Sequence, residues 1–282
     1  MSNFLGSLQV ILTSTGTKLE NIGCLTIDGD KLDTVLLSAG ETAGFIDDIQ
    51  DKFEDKINEV VAKTDVDLVI HDPKDPEERI IRVTETNLGD LVADAYRNIS
   101  GADVAIVNGG GIRDDIEKGD ITYGEIIAVH PFGNELCVVE CTGQDILDAL
   151  ELSVSKLPGE NGGFLHVSGL SFTVDMNVES SVKLDKDGLF ESVGGDRRVR
   201  DVKVGDKDID PEAIYTLASH NYLIKNGGDG YTMFKDGNLL QDSVMLDNQV
   251  LINYIVDELD GTVGEEYSEP YGEGRIDIIE AD

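Results

Sequence analysis

With 282 residues the chain can build one large domain or two smaller ones, and its 40% apolar content excludes wholesale disorder. Lys and Arg total 22 against 57 Asp and Glu, a formal charge of −35. That balance excludes DNA, RNA and anionic membrane surfaces as partners of the molecule as a whole, since no general basic field attracts phosphates, and it suits a secreted or a salt-adapted protein.

The opening MSNFLGSLQVILTS is apolar but lacks a basic n-region, so it is not read as a signal peptide. No apolar run approaches the roughly 18 residues of a membrane span. Strands are predicted at Val10–Thr13, Gly23–Ile27 and Thr34–Leu37, with a turn at Asp28-Gly29-Asp30. This is too little for an independent core and reads as the tail of something larger. Phe45, Ile49, Phe53, Ile57 and Val61 recur at i, i+4 and predict one long amphipathic helix over Glu41–Lys63. After His71 the segment DPKDPEER, with two prolines and six charges, predicts a loop.

From Thr86 the pattern changes to alternating helices and strands. Leu88, Val92, Ala95, Tyr96 and Ile99 predict a helix over Asn87–Ile99, and Asp103–Val107 a short strand. Leu136–Cys141 reads as a strand and Gln144–Ser155 as a helix with Thr142 as its N-cap. Further strands are predicted at Val167–Val174, Val199–Val204 and Tyr215–Ala218. Asp247 is expected to cap a last helix that turns Val250, Leu251, Tyr254, Ile255 and Leu259 inward. The alternation has no regular βαβ period, so the expected class is α+β, a mixed sheet with packed helices. Cys24, Cys137 and Cys141 cannot all pair within the chain. The last two sit roughly 13 Å apart along a strand and no second Cys/His pair completes a zinc site, so all three are read as buried thiols.

Two glycine clusters follow strand-like runs. Asn108-Gly109-Gly110-Gly111-Ile112-Arg113 removes every Cβ from a turn, so backbone N–H groups can approach a ligand, and Arg113 supplies a charged donor fork suited to phosphate or carboxylate. A tight turn with a surface arginine explains the same residues. In Asn226-Gly227-Gly228-Asp229-Gly230 the aspartate can accept from a sugar diol or satisfy its own loop. Between the two lies His130-Pro131-Phe132-Gly133-Asn134, where an aromatic outside any periodic apolar face could stack on a nucleobase, with Tyr222 as its partner. Four scattered histidines, at positions 71, 130, 166 and 220, form no hydrolytic metal cluster, and Ser168 and Ser219 lack a nucleophile elbow. The residues themselves describe a ligand-binding domain without a catalytic centre.

Taken in order, ETNLGDLVADA at 85–95, the Asn108–Arg113 run, Pro131-Phe132-Gly133-Asn134 and the Asn226–Gly230 loop resemble the C-terminal domain of the 5′-nucleotidase family. The likeness covers about residues 66–282, and the segment TGTKLENIGCLTID resembles the closing strands of the family's N-terminal metallophosphoesterase domain. The resemblance implies a remnant of that domain at 1–38, a linker helix at 39–65 and a substrate-binding domain at 66–282. It implies Arg82 on the phosphate side, Asn108, Gly110 and Arg113 at the substrate, and Phe132 and Tyr222 around the base. It also implies Asn134 as a base contact and Asp229 on the ribose hydroxyls. The family's second stacking aromatic usually lies six positions before that aspartate, where this chain has Leu223; Tyr222 is one position further back. The catalytic residues and two divalent metal ions are expected in the N-terminal domain, in cis, and no cofactor or metal is expected in this chain. The implied function is substrate binding for a metal-dependent phosphoesterase located outside the cell, at the cell wall or in the periplasm. A 2′,3′-cyclic-nucleotide phosphodiesterase/3′-nucleotidase and a non-enzymatic surface-binding module are the alternatives.

Overall fold

The computed structural model describes residues 11–13, 21–28, 31–37 and 54–281. The chain divides into two units, Met1–Asn58 and Glu59–Asp282. In the first, β1 (Ile11–Thr13), β2 (Asn21–Asp28) and β3 (Lys31–Leu37) form an antiparallel sheet in that order. The three expected strands are therefore present. The turn residues 29–30 and most of the expected helix, residues 41–53, lie outside the described residues.

The second unit opens with a strand where a helix is expected. Residues 54–57 are helical, but Val60–Thr64 forms strand β4, so the helix expected to reach Lys63 and the linker expected to reach residue 65 both stop short. The reason is a period of two: Ala62, Thr64, Val66, Leu68 and Ile70 are buried while the residues between them are more exposed. The expected loop after His71 contains a small hairpin, β5 (His71–Asp72) with β6 (Asp75–Arg79). Helix α1 (Asn87–Ser100) starts at Thr86, whose hydroxyl accepts from Gly89 N, and ends at Gly101 in the left-handed region. After it come β7 (Val104–Asn108), β8 (Gly119–Thr122), α2 (Tyr123–Val129), β9 (Leu136–Thr142) and α3 (Gly143–Ser153), the last closed by a capping box between Thr142 and Asp145.

The strand expected over Val167–Val174 is two strands, β10 (Leu165–Ser168) and β11 (Leu170–Asp175), in different sheets. Gly169 at φ 73° turns the chain between them. Strands β12 (Val182–Leu184), β13 (Phe190–Val193), β14 (Val199–Val204) and β15 (Lys207–Asp208) lead to β16 (Ile214–His220) and the single turn α4 (Asn221–Ile224). Then follow β17 (Asn238–Gln241), α5 (Asp247–Asn253), continued by a π turn, and β18 (Thr262–Val263) and β19 (Ile276–Ile279). Leu246, not Asp247, occupies the N-cap of α5. The Asp247 carboxylate instead accepts from the backbone of Asn248 and Asn134.

The central sheet has the order β10-β7-β16-β9-β17, with β7 and β16 parallel and the other pairs antiparallel, which makes it mixed as expected. Its residues alternate between two cores. Ala105, Val107, Leu136 and Val138 face α1 and α5, whereas Val104, Ile106, Cys137, Val139 and Cys141 face α3 and the β11 sheet. Cys137 and Cys141 are free, buried thiols, and burial pushes Cys141 up to about 12. The side chain of Cys24 lies outside the described residues.

Candidate functional site

Strand direction decides where the site is. Strands β7 and β16 run parallel and end at the same edge of the central sheet, with Asn108 and His220. The antiparallel neighbours begin there, since Leu136 pairs with His220 and Leu165 with Asn108. The loops entering or leaving these four strands therefore crowd together, and between them lies a cleft of about 430 Å³. Arg82, Asn108, Gly110, Phe132, Asn134, Tyr222 and Asp229 all line it, so seven of the eight expected residues converge. Arg113 is the exception. It is exposed at the rim, its guanidinium 5.9 Å from the Phe132 ring and its Nη1 donating to the Gly110 carbonyl at 3.4 Å.

The floor is the glycine turn. Gly109 N donates to Phe164 O at 2.7 Å and Gly110 N to Gly162 O at 2.8 Å, so the turn is stitched to the loop before β10. A Cβ on Gly110 would lie 2.8 Å from that same carbonyl, so the close approach requires glycine. Asn108 is buried; its Nδ2 donates to Asp229 Oδ2 at 2.7 Å and its Oδ1 lies 3.0 Å from His220 Nε2. Asp229 has φ 52° and accepts on its other oxygen from the Tyr222 hydroxyl at 3.1 Å. Tyr222 is thereby fixed beside the cleft, and burial together with the Asp229 carboxylate pushes its hydroxyl up.

The two aromatic faces differ. Phe132 is 60% exposed at the tip of its turn, and Tyr222 is 37% exposed. Asn134 N, two residues past Phe132, donates to Asp247 Oδ2 at 3.1 Å, so α5 holds the aromatic turn. On the far side, Arg82 follows Ile81, whose carbonyl lies 2.9 Å from His166 Nε2, and its own carbonyl accepts from Asn161 N. Glu160 bridges two arginines, at 2.7 Å from Arg79 and 3.5 Å from Arg82. Burial, then the charges of Arg79 and Arg113, lower Arg82, while Arg79 holds the Glu160 carboxyl below the usual range.

A family model described as the 5′-nucleotidase C-terminal domain matches residues 60–236. The chain belongs to the 5′-nucleotidase family. The trifunctional nucleotide phosphoesterase protein YfkN of Bacillus subtilis is 34% identical over 285 residues, covering 97% of this chain and 17% of its own length. Cell wall protein Lmo0130 of Listeria monocytogenes is 34% identical over 226 residues, 75% of this chain and 26% of that protein. The crystal structure of a 5′-nucleotidase precursor from Thermus thermophilus superposes with a TM-score of 0.67 at 29% identity, over 94% of this chain and 51% of that one. The chain thus spans about half or less of each relative's length.

The 5′-nucleotidase domain also brings residues to the cleft that sequence reasoning missed. Gly162 lines it, and Glu160, Arg79 and His220 contact its walls. The Asn161-Gly162-Gly163 run carried a signal of its own, a glycine pair just before a strand. Nothing local marks His220 or Glu160. Among the described residues no group of three or more His, Cys, Asp or Glu is placed to hold a metal ion. These residues therefore do not fit the pair of divalent ions that the family resemblance implies.

Proposed function

We propose that this chain is the nucleotide-binding, substrate-positioning domain of a metal-dependent 5′-nucleotidase-like phosphoesterase. One observation carries the reading: a cleft in which two aromatic faces, an aspartate and an arginine arrive from three distant segments. The base stacks between Phe132 and Tyr222 with Asn134 at its edge. The free lone pairs of Asp229 accept from the ribose hydroxyls, and Arg82 and Arg113 carry the phosphate side, with Asn108 and Gly110 closing the floor. Holding the ester in place converts a bimolecular attack into a nearly unimolecular one, a contribution that can reach several kcal/mol. The metal ions and the catalytic residues belong to an N-terminal domain in cis, whose closing strands are β1, β2 and β3.

The name of YfkN, a trifunctional nucleotide phosphoesterase, supports the substrate class and leaves room for cyclic-nucleotide substrates beside 5′-monophosphates. The name of Lmo0130, a cell wall protein, supports a location outside the cell or at its wall. No helix among the described residues is long and apolar enough to cross a membrane. Calorimetry on the whole chain tests the reading. Adenosine and AMP bind and ribose-free adenine binds more weakly, whereas no nucleoside binding at millimolar concentration sinks the proposal. The same protein releases no phosphate from AMP with Mn²⁺, Co²⁺ or Zn²⁺; release above a blank overturns the assignment of the chemistry to another domain.

A further inference from the structure

Asn108 is the junction of the cleft's polar wall, and its neighbours fix which way its amide points. Nδ2 lies 2.7 Å from Asp229 Oδ2 and 3.2 Å from the Gly162 carbonyl, both acceptors. The amide therefore presents its NH₂ to them and turns Oδ1 away, where it meets His220 Nε2 at 3.0 Å. An amide oxygen only accepts, so His220 donates and carries its proton on Nε2. Its Nδ1 is buried and finds no partner in another residue among those described. Burial, reinforced by the neighbouring His130, pushes His220 down to about 3, so the ring is neutral throughout the physiological range and keeps this single proton. The ring is held edge-on to Tyr96 at 6.2 Å and tilted against Tyr222 at 6.0 Å. Gly111 leaves room for the pair, since a Cβ there would lie 2.9 Å from Asn108 Oδ1.

We propose that His220 is a positioning residue that acts through Asn108 on Asp229, and so sets the cleft's preference for ligands with two adjacent hydroxyls over deoxy analogues. The inference rests on the nucleotide reading above. Each Asp229 oxygen already accepts one internal donor, Tyr222 on one and Asn108 on the other, and that leaves one free direction per oxygen for a vicinal diol. Without the His220 donor the Asn108 oxygen is left buried and unpaired, and only the NH₂ end of the amide is still held, by Asp229 and the Gly162 carbonyl. The side chain then shifts toward another donor, its bond to Asp229 loosens, and the carboxylate loses the fixed orientation that a diol needs.

The test compares adenosine with 2′,3′-dideoxyadenosine by calorimetry on the full chain and on two variants. His220→Phe keeps a ring but cannot donate; His220→Gln restores a donor. The expected result is that the ribo-to-dideoxy affinity ratio falls about tenfold in His220→Phe, the effect of one lost hydrogen bond to an organised carboxylate, and recovers in His220→Gln. A wild-type ratio in a folded His220→Phe overturns the inference alone, whereas a wild-type chain that binds no nucleoside overturns the nucleotide reading and the inference with it. Should His220→Phe not fold, ¹⁵N-histidine spectra of the wild-type protein decide: an Nε2–H tautomer supports the relay, and an Nδ1–H tautomer overturns it.

Discussion

Phe132 leaves a large apolar face in water at the tip of a turn, held from behind by the Asn134–Asp247 contact and flanked by Arg113. Folding gains little from such a ring, so its truncation separates binding from stability. Phe132→Ala is expected to cost roughly 1–3 kcal/mol of nucleoside affinity, the scale of a base on an aromatic face. The unfolding free energy should stay within about 0.5 kcal/mol of wild type, as for other exposed positions. Calorimetry and denaturant titration check both, and equal nucleoside affinity in the folded variant removes Phe132 from the site. This residue was legible because a phenylalanine between proline and glycine fits no apolar period. Asp229 and the glycine turn were legible for a similar local reason, since runs of glycine after a strand mark backbone that approaches something closely. His220 was not, because its meaning lies in Asn108, 112 positions away and brought beside it only by strand pairing. Arg113 shows the converse: its type and spacing fitted the cleft wall, but the side chain ends at the rim.

At the scale of elements, α1 does more than cover a core. Its first turn buries Asp90, whose carboxylate accepts from Glu273 N at 3.0 Å and lies 3.8 Å from Arg275, with Glu85 beside it. Burial pushes Asp90 up to about 9; the charge of Glu85 adds to this and that of Arg275 opposes it. The folded state therefore holds a proton that the unfolded chain releases near its ordinary pKa of about 4. Stability from this group is full below that value and falls as pH rises toward 9, with a slope of at most about 1.4 kcal/mol per pH unit. Asp90→Asn keeps the shape and removes the titration, so urea titrations from pH 5 to pH 9, spanning roughly that window, should give a flatter profile for the variant. An unchanged slope assigns the proton elsewhere. Helix α1 itself was readable from its apolar stripe. Strand β4 was not, because Ile57 and Val61 extend an i, i+4 series into a stretch whose burial alternates from Ala62 to Ile70. Two periods overlap there, and only pairing with β8 decides between them. The split of β10 from β11 was likewise hidden, since a single glycine among apolar residues does not reveal that the chain changes sheets.

For the whole molecule, a formal charge of −35 means that compaction works against self-repulsion. Raising NaCl from about 0.05 M to about 0.5 M shortens the screening length to a few ångströms and should raise the thermal midpoint by at least about 2 °C. A midpoint that falls with salt instead means that attractive ion pairs, such as those of Arg275 with Asp94 and Arg79 with Glu160, outweigh the net repulsion. The order of the central sheet also bears on how the protein is made. Strands β7, β9 and β10 leave the ribosome before β16, yet β16 lies in the middle and is the strand that joins β7 to β9. Until residues 214–220 emerge, the growing chain carries open sheet edges on β7 and β9 that will later be interior, each a template for unwanted pairing with another chain. The cleft does not exist in that interval either, because its floor follows β7, its aromatic turn precedes β9, and Tyr222 and Asp229 follow β16. A ligand of the cleft therefore cannot aid folding during synthesis, and protection of the nascent chain falls to whatever binds exposed strand edges.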